Sequence, residues 1–168
     1  GRLDMDGLRE RVSPRTRFIS VVHVSNTLGT INPVDDIIEL AHQQDIPVLV
    51  DGAQSAPHMP VDVQAMGADF YVFSAHKTYG PSGSGVLWGR LEHLEAMPPY
   101  QGGGDMIRTV SFEETTYAPP PQRFEAGTPN IAGVIAMGVG LEYIEAADRE
   151  AIVAHEQSLL GYANERLA

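Results

Sequence analysis

The chain has 168 residues, no cysteine, and 11 Lys and Arg residues against 22 Asp and Glu residues, which gives a formal net charge of −11. This acidic balance argues against a nucleic-acid partner, which would need a basic surface to meet phosphates. The lack of cysteine excludes a disulfide scaffold, a thiolate metal site and a cysteine nucleophile within the chain. No apolar run approaches the roughly 20 residues that span a bilayer, and no signal-peptide layout opens the chain, so the sequence predicts a cytoplasmic protein without a membrane partner.

The first half of the chain alternates between strand and helix patterns. Residues 17–24 are short, β-branched and mostly apolar, which predicts a strand covered on both faces. Residues 33–44 place apolar side chains at helical spacing, with Asn32 as the expected N-cap. Further strands are predicted at residues 47–50, 69–73 and 85–88. Because parallel neighbours need a helical crossover, this alternation predicts an α/β fold with a mostly parallel sheet flanked by helices.

The second half is less regular. Prolines and glycines crowd residues 97–121, which are therefore predicted to be a long loop with a functional or subunit-contact role. Residues 129–147 predict a helix that is apolar on most sides and hence buried, with Thr128 and Pro129 as its N-cap and first residue. A last helix is expected from about Asp148 onward.

Polar side chains cluster where the predicted strands end. They are Asn26 after the first strand, Asp51 and Gln54 after the second, and Ser74, His76 and Lys77 after the third. In open α/β sheets the ligand crevice lies outside the carboxyl ends of the strands, so these side chains are expected to face one site. An acid, an amine and a hydroxyl in that arrangement could serve several enzymes, and the spacing alone does not choose between them.

Two local sequences reduce the number of enzyme families that fit. VLVDGAQ at 48–54, followed by FSAHKTYGPSG at 73–83, resembles the pyridoxal-phosphate site of the class V aminotransferase family, most closely its group II (Suf-type) cysteine desulfurases and selenocysteine lyases. Residues 23–30, 97–104 and 123–130 match further family motifs. The resemblance implies a fold-type I transferase dependent on pyridoxal 5'-phosphate. Residues 1–168 would be the central portion of its large, cofactor-binding domain.

The resemblance also implies roles for individual residues. Lys77 would be the catalytic amine that condenses with the cofactor aldehyde, and Asp51 would pair with the ring nitrogen and keep it protonated. Gln54 would donate to the ring oxygen, which Asn26 would also approach unless it meets the substrate. The remaining implied contacts are to phosphate: Ser74 and His76 in the same subunit, and Gly102 and Thr128 at the cofactor of a neighbouring subunit. The family pattern therefore implies a homodimer.

The implied reaction converts a small amino acid, L-cysteine, to L-alanine and passes the sulfur as a persulfide to an acceptor protein. Alternatives are another class V enzyme, such as a selenocysteine lyase, a kynureninase-like or an epimerase-like protein, or a non-catalytic assembly module. Family members are longer than this chain, so we expect a fragment that lacks the substrate-binding arginine and the sulfur-accepting cysteine. Ala75 replaces a glycine common in the family, a change expected to be tolerated.

Several of these residues also have structural explanations. Asp51 could cap the turn after its strand instead of meeting a cofactor. His23, in the middle of a strand, is expected to be a packed core residue and not a ligand. His42, His58 and His93 are expected to be ordinary surface or loop residues.

Overall fold

Four strands form the central sheet, in the order β1 (Ile19–Val22), β2 (Val48–Asp51), β3 (Phe70–Ser74) and β4 (Gly85–Gly89). This computed structural model describes residues 1–167. The β1–β2 and β2–β3 pairs are parallel, whereas β4 runs antiparallel to β3. The predicted α/β fold with a mostly parallel sheet is confirmed, and all four predicted strands are present.

Helices connect and flank these strands. They are α1 (Met5–Arg11), α2 (Val34–His42), α3 (Ser55–His58), α4 (Val63–Met66), α5 (Leu91–Ala96), α6 (Ile131–Ala146) and α7 (Arg149–Leu167). The sequence did not predict α1, which begins where the Asp4 carboxylate accepts a hydrogen bond from the Gly7 N–H at 2.9 Å. Of the helices within residues 1–167, none combines the length and apolar character needed to cross a bilayer.

The main core lies between β2 and α2. Val48 and Val50 alternate onto one face of β2 and are fully buried. They pack against the apolar side of α2, formed by Val34, Ile38 and Ala41. The prediction that Asn32 caps α2 is wrong, because its buried side-chain amide instead donates to the Val22 carbonyl at 2.8 Å. This bond ties the end of β1 to the start of α2.

The predicted loop at residues 97–121 contains a β-hairpin. Its strands are β5 (Ile107–Val110) and β6 (Thr115–Tyr117), which pair antiparallel. The Ser111 hydroxyl accepts hydrogen bonds from the N–H groups of Glu113 and Glu114 at 3.1 and 3.0 Å, which closes the turn. The loop prediction was wrong here because the glycines and prolines lie on either side of the hairpin, and a short β-branched run lies between them.

Helix α6 is present where the sequence predicted it, but its burial was predicted wrongly. Only one face is buried, and the residues on it are Gly133, Met137, Gly140 and Ile144. The large apolar side chains at Ile131, Ile135 and Val139 are 57%, 66% and 61% exposed. A sequence that is apolar on all sides of a helix predicts that the helix is fully buried. Residues 1–167, however, cover only one side of α6.

Candidate active site

The strand register brings the predicted polar residues to one edge of the sheet. Across β1–β2 the partner of Asp51 is Val22, and across β2–β3 its partner is Val72. Asn26, Asp51 and Ser74 therefore all follow or end strands at the same edge. Lys77 ends a 3-10 turn (Ala75–Lys77) that starts directly after β3. This is the edge at which ligands bind in open α/β sheets.

Asp51 is half-buried at the end of β2. Its Oδ1 accepts a hydrogen bond from the Ala53 N–H at 2.9 Å, so the interpretation of Asp51 as a turn cap is confirmed for that oxygen. Within residues 1–167, its Oδ2 has no hydrogen-bond partner. One carboxylate can thus hold the turn with one oxygen and present the other to a ligand.

The turn after Asp51 is built on a close contact that sequence reasoning missed. A Cβ on Gly52 would lie 1.9 Å from Cζ of Tyr71, so only glycine fits against that ring. The Tyr71 hydroxyl in turn lies 2.7 Å from the Ser55 hydroxyl. Burial raises the pKa of Tyr71, the Ser55 hydrogen bond opposes that rise, and the negative charge of Asp51 adds to it. Tyr71 is therefore neutral, and its ring packs against the turn at Gly52.

Lys77 is presented by a turn whose backbone is buried around it. Ala75 and Thr78, on either side, are fully buried, and the Thr78 hydroxyl donates to the carbonyls of Ala75 and Ser74 at 3.0 and 3.3 Å. Lys77 itself is half-buried. Its ammonium forms no ion pair within the described part of the chain. It is also the sole lysine of the sequence, a fact that composition alone could have revealed.

The alanine that departs from the family pattern is accommodated within the same turn. A Cβ on Gly80 would lie 3.1 Å from the Ala75 Cβ, so the missing side chain at Gly80 leaves room for the Ala75 methyl. Ser74 on one side is half-buried and His76 on the other is exposed. Both remain accessible to a ligand at the sheet edge.

Asn26 and Gln54 line a common cavity of about 590 Å³. The turn after β1 and the start of α3 form one side of it, and α7 forms the other. On the α7 side, His58 Nδ1 lies 2.8 Å from the Glu156 carboxylate. Arg149, at the first position of α7, donates to the Ala56 carbonyl at 2.8 Å. These contacts hold α7 beside the two amides.

Gly102 and Thr128 form a second group, on neighbouring exposed segments. The Gly127 N–H donates to the Gly104 carbonyl at 2.9 Å, and a Cβ on Gly103 would lie 3.0 Å from the Ala126 Cβ. The structure thus brings together the two segments that were predicted to reach a phosphate. The prediction that Thr128 caps α6 is wrong, because Asn130 is the N-cap and its Oδ1 accepts from the Gly133 N–H at 3.1 Å.

The histidines divide into different roles. His23 is buried, which confirms the expectation of a packed core residue, and this burial lowers its pKa. His42 is exposed, as expected of a surface residue, and His93 is half-buried, but both contact a buried carboxylate that the sequence did not predict. Their Nε2 atoms donate to the buried Asp69 carboxylate at 2.8 and 3.0 Å. Sequence reasoning missed this cluster because its members lie 27 and 24 residues apart.

The Asp69 cluster lies at the opposite edge of the sheet, since Asp69 immediately precedes β3. Its carboxylate also accepts a hydrogen bond from the Val48 N–H at 2.7 Å. Burial alone would raise the pKa of Asp69, but the hydrogen bonds from His42, Val48 and His93 outweigh it and lower that pKa. The cluster joins β2 and β3 to α2 and α5 and is separate from the Lys77 edge.

Comparison with known proteins gives consistent matches over the whole chain. The sequence profile of the family described as Aminotransferase class-V matches residues 1–168. A cysteine desulfurase of Dickeya dadantii is 55% identical over 169 aligned residues, and one of Escherichia coli O127:H6 is 51% identical. Each alignment covers 100% of this chain but only 41% and 42% of the relative. The chain thus spans about two fifths of the length of these curated relatives.

Solved structures agree with the sequence matches. The crystal structure of the cysteine desulfurase CsdA from Escherichia coli superposes with a TM-score of 0.90 at 44% identity. The apo structure of a cysteine desulfurase from Thermococcus onnurineus gives a TM-score of 0.91 at 38% identity. Each covers 98% of this chain and corresponds to 41% of the other protein.

Proposed function

Because this chain belongs to the aminotransferase class-V family, we propose that residues 1–168 are the central part of the large domain of a pyridoxal-phosphate-dependent cysteine desulfurase. The full-length protein would convert L-cysteine to L-alanine and transfer the sulfur to a thiol as a persulfide. The observation that carries this proposal is the position of Lys77. It is half-buried, follows β3 at the ligand-binding edge, and neighbours the strand that ends at Asp51.

The donor set at this edge fits pyridoxal 5'-phosphate. The cofactor offers an aldehyde, a ring nitrogen, a ring oxygen and a phosphate, and the edge offers an amine, a carboxylate, two amides and a hydroxyl. When bound, it supplies a ring that withdraws electrons from the substrate α-carbon. Lys77 would hold it covalently through Nζ. Asp51 Oδ2 has no hydrogen-bond partner within residues 1–167. It would accept a hydrogen bond from the protonated ring nitrogen.

The other residues would orient the cofactor. The side-chain amides of Gln54 and Asn26, which line one cavity, would donate hydrogen bonds to the ring oxygen, and Asn26 could instead reach the substrate. Ser74 and His76, which flank Ala75 in the Lys77 turn, would contact the phosphate. Each of these side chains carries a hydrogen-bond donor.

Sulfur transfer sets a requirement that this chain does not meet by itself. In the overall reaction the carbon–sulfur bond of cysteine breaks, a hydrogen takes the place of the sulfur on carbon, and the sulfur joins the acceptor thiol. That acceptor has to be a thiolate, and these residues include no cysteine. The sulfur-accepting cysteine and the arginine that holds the substrate carboxylate would therefore belong to other parts of the full-length protein.

The proposal includes an assembly. The full-length protein would be a homodimer in which Gly102 and Thr128 reach the cofactor phosphate of the second subunit, an arrangement supported by the contact between their two segments. A sulfur-acceptor protein would receive the persulfide, with iron–sulfur cluster assembly as one destination. A cytoplasmic location fits this role, because that compartment keeps acceptor thiols reduced. Light scattering that gave a monomer mass for the active, cofactor-loaded protein would contradict the dimer.

The test uses the full-length protein with L-cysteine and a thiol reductant, and it measures alanine and sulfide together. Borohydride reduction followed by peptide mass spectrometry should place the cofactor on Lys77, and Lys77→Ala should abolish both the adduct and turnover. A borohydride-trapped adduct on another residue of Lys77→Ala would overturn the assignment of Lys77 as the residue that binds the cofactor. Turnover of selenocysteine but not cysteine would favour the selenocysteine lyase alternative, and absence of any adduct in the unmodified protein would favour the assembly module.

A further inference from the structure

Helix α6 lies directly behind the turn that carries Lys77, and Gly140 is the point of closest approach. A Cβ on Gly140 would lie 2.7 Å from the Thr78 carbonyl oxygen and 3.0 Å from the Tyr79 carbonyl carbon. It would also lie 3.1 Å from the Gly80 nitrogen. All three atoms are backbone, so they cannot rotate away as a side chain could. The backbone of residues 78–80 therefore rests against α6 with no space for a methyl group.

A second contact with α6 holds the same segment. Tyr79 adopts the left-handed conformation, with φ at +60°, which is uncommon for a residue with a side chain. Such a conformation persists only where the surroundings hold it. Here the Tyr79 ring packs against the Tyr143 ring of α6, with centroids 5.5 Å apart and planes tilted by 59°.

The contacts at residues 78–80 are transmitted to Lys77 by the closed turn. The N–H groups of Thr78 and Gly80 both donate to the Ala75 carbonyl at 2.9 Å, and the Thr78 hydroxyl donates to the same oxygen. A shift of residues 78–80 therefore displaces the 3-10 turn as a unit, together with the Cα of Lys77.

We propose that Gly140 and Tyr143 are positioning residues for Lys77: α6 sets the place from which the Lys77 amine reaches the cofactor. Neither residue touches the reacting atoms. The inference rests on the proposed role of Lys77, and it adds that the accuracy of this lysine's placement comes from two residues of α6 that lie more than 60 residues later in the chain.

The main test compares Gly140→Ala with Gly138→Ala in the full-length protein. Gly138 lies in the same helix, and a Cβ there would meet no atom within 4 Å, so Gly138→Ala controls for the change in helix propensity. We expect Gly140→Ala to lower kcat by about ten- to a hundredfold with a smaller change in KM, because small misplacements of catalytic groups carry losses of that size. Gly138→Ala should behave as the unmodified protein.

Two further readouts separate positioning from folding. The rate at which the apoprotein captures added pyridoxal phosphate on Lys77, measured by borohydride trapping, should fall by about tenfold in Gly140→Ala. The melting temperature of the apoprotein reports the folding effect independently. A lower melting temperature with an unchanged capture rate and unchanged kcat would show that Gly140 is only structural and would overturn the proposal.

A milder variant covers the possibility that Gly140→Ala does not fold. Tyr143→Ala removes the ring that packs on Tyr79, and because Tyr143 is 62% exposed, the fold should be retained. We expect slower capture and lower kcat for Tyr143→Ala, and recovery of both in Tyr143→Phe, which keeps the ring. Equal capture rates in Tyr143→Ala, Tyr143→Phe and the unmodified protein would contradict the proposal. If the Lys77→Ala protein still traps the cofactor, the proposed function itself fails, an outcome distinct from this one.

Discussion

The Cα of Gly52 lies so close to the Tyr71 ring that a Cβ would stand 1.9 Å from Cζ. This contact joins the residue that follows β2 to the second residue of β3, next to Asp51 in the chain. It explains why glycine follows the acid in the sequence, even though Gly52 itself does not adopt a left-handed backbone. The geometry of the turn after Asp51 therefore depends on Gly52, which has no side chain.

Replacing Gly52 by alanine is expected to destabilise the full-length protein by about 1–3 kcal/mol, the usual effect of forcing extra volume into a packed interior. Urea unfolding of the apoprotein measures the change. Gly104→Ala is the matched control, because a Cβ at Gly104 would meet no atom within 4 Å. Equal midpoints for Gly52→Ala and the unmodified protein would show that the Tyr71 ring moves aside at no cost.

Asp51→Asn is expected to retain some cofactor but to lower turnover by about a hundredfold or more, since a neutral amide cannot keep the ring nitrogen protonated and the ring withdraws electrons less strongly. Bound cofactor is followed by absorbance and turnover by alanine release. Asp62→Asn serves as the control: Asp62 caps α4 by accepting from Gln64 and Ala65 at 2.9 Å, and asparagine caps equally well. Near-normal turnover of Asp51→Asn would exclude the electronic role.

The Asp69 cluster predicts how stability depends on pH. The pKa of Asp69 is lowered in the folded protein from an ordinary value of 3.8, so the folded state keeps the carboxylate ionised at pH values where the unfolded chain binds a proton. Its contribution is thus complete above about pH 5 and is lost as the pH falls below about 4. Urea unfolding at pH 7, 5, 4 and 3 measures this loss.

Asp69→Asn provides the matching variant. It should lower the free energy of unfolding at pH 7 by about 1–3 kcal/mol, because the Val48 N–H and both histidines lose a charged acceptor. It should also show a smaller further loss between pH 5 and pH 3 than the unmodified protein. Parallel pH profiles for the two proteins would mean that Asp69 is not the group that titrates.

The 168-residue chain by itself is expected not to desulfurate cysteine. It has no thiolate to attack the substrate sulfur, and no hydroxyl or imidazole can form the persulfide instead. Purified chain with L-cysteine, pyridoxal phosphate and a reductant should release no more sulfide than free cofactor does. Sulfide well above that background, and abolished by Lys77→Ala, would show that the missing groups are not required.

The strands and their polar ends were predictable because the signals are local. Short apolar runs rich in β-branched or aromatic residues predicted the four strands, and the parallel arrangement of β1 to β3 then placed Asp51 and Lys77 at one edge. The hairpin β5–β6 was not predicted, because glycines and prolines around it dominated the local pattern. Helix α1 was missed because it has seven residues and buries only Gly7.

Features that depend on distant parts of the chain were beyond sequence patterns. The Asp69 cluster joins residues from four separate segments, and none of its members carries a local signature. The close approach of Gly140 to Thr78 likewise appears only when α6 folds back on the Lys77 turn. The extent of burial of α6 also could not be read from its composition, because apolar residues occupy every side.

Strand β3 has opposite kinds of chemistry at its two ends. Asp69, just before the strand, has its carboxylate saturated with hydrogen bonds, whereas Lys77, just beyond it, keeps its amine free of ion pairs within residues 1–167. About 17 Å of strand separates these ends, from five residues at roughly 3.3 Å each. The carboxylate expected to set the pH dependence of stability and the amine proposed to bind the cofactor therefore lie beyond opposite ends of one strand. Substitutions at His42 or His93 can therefore change how stability depends on pH without altering the surroundings of the Lys77 amine.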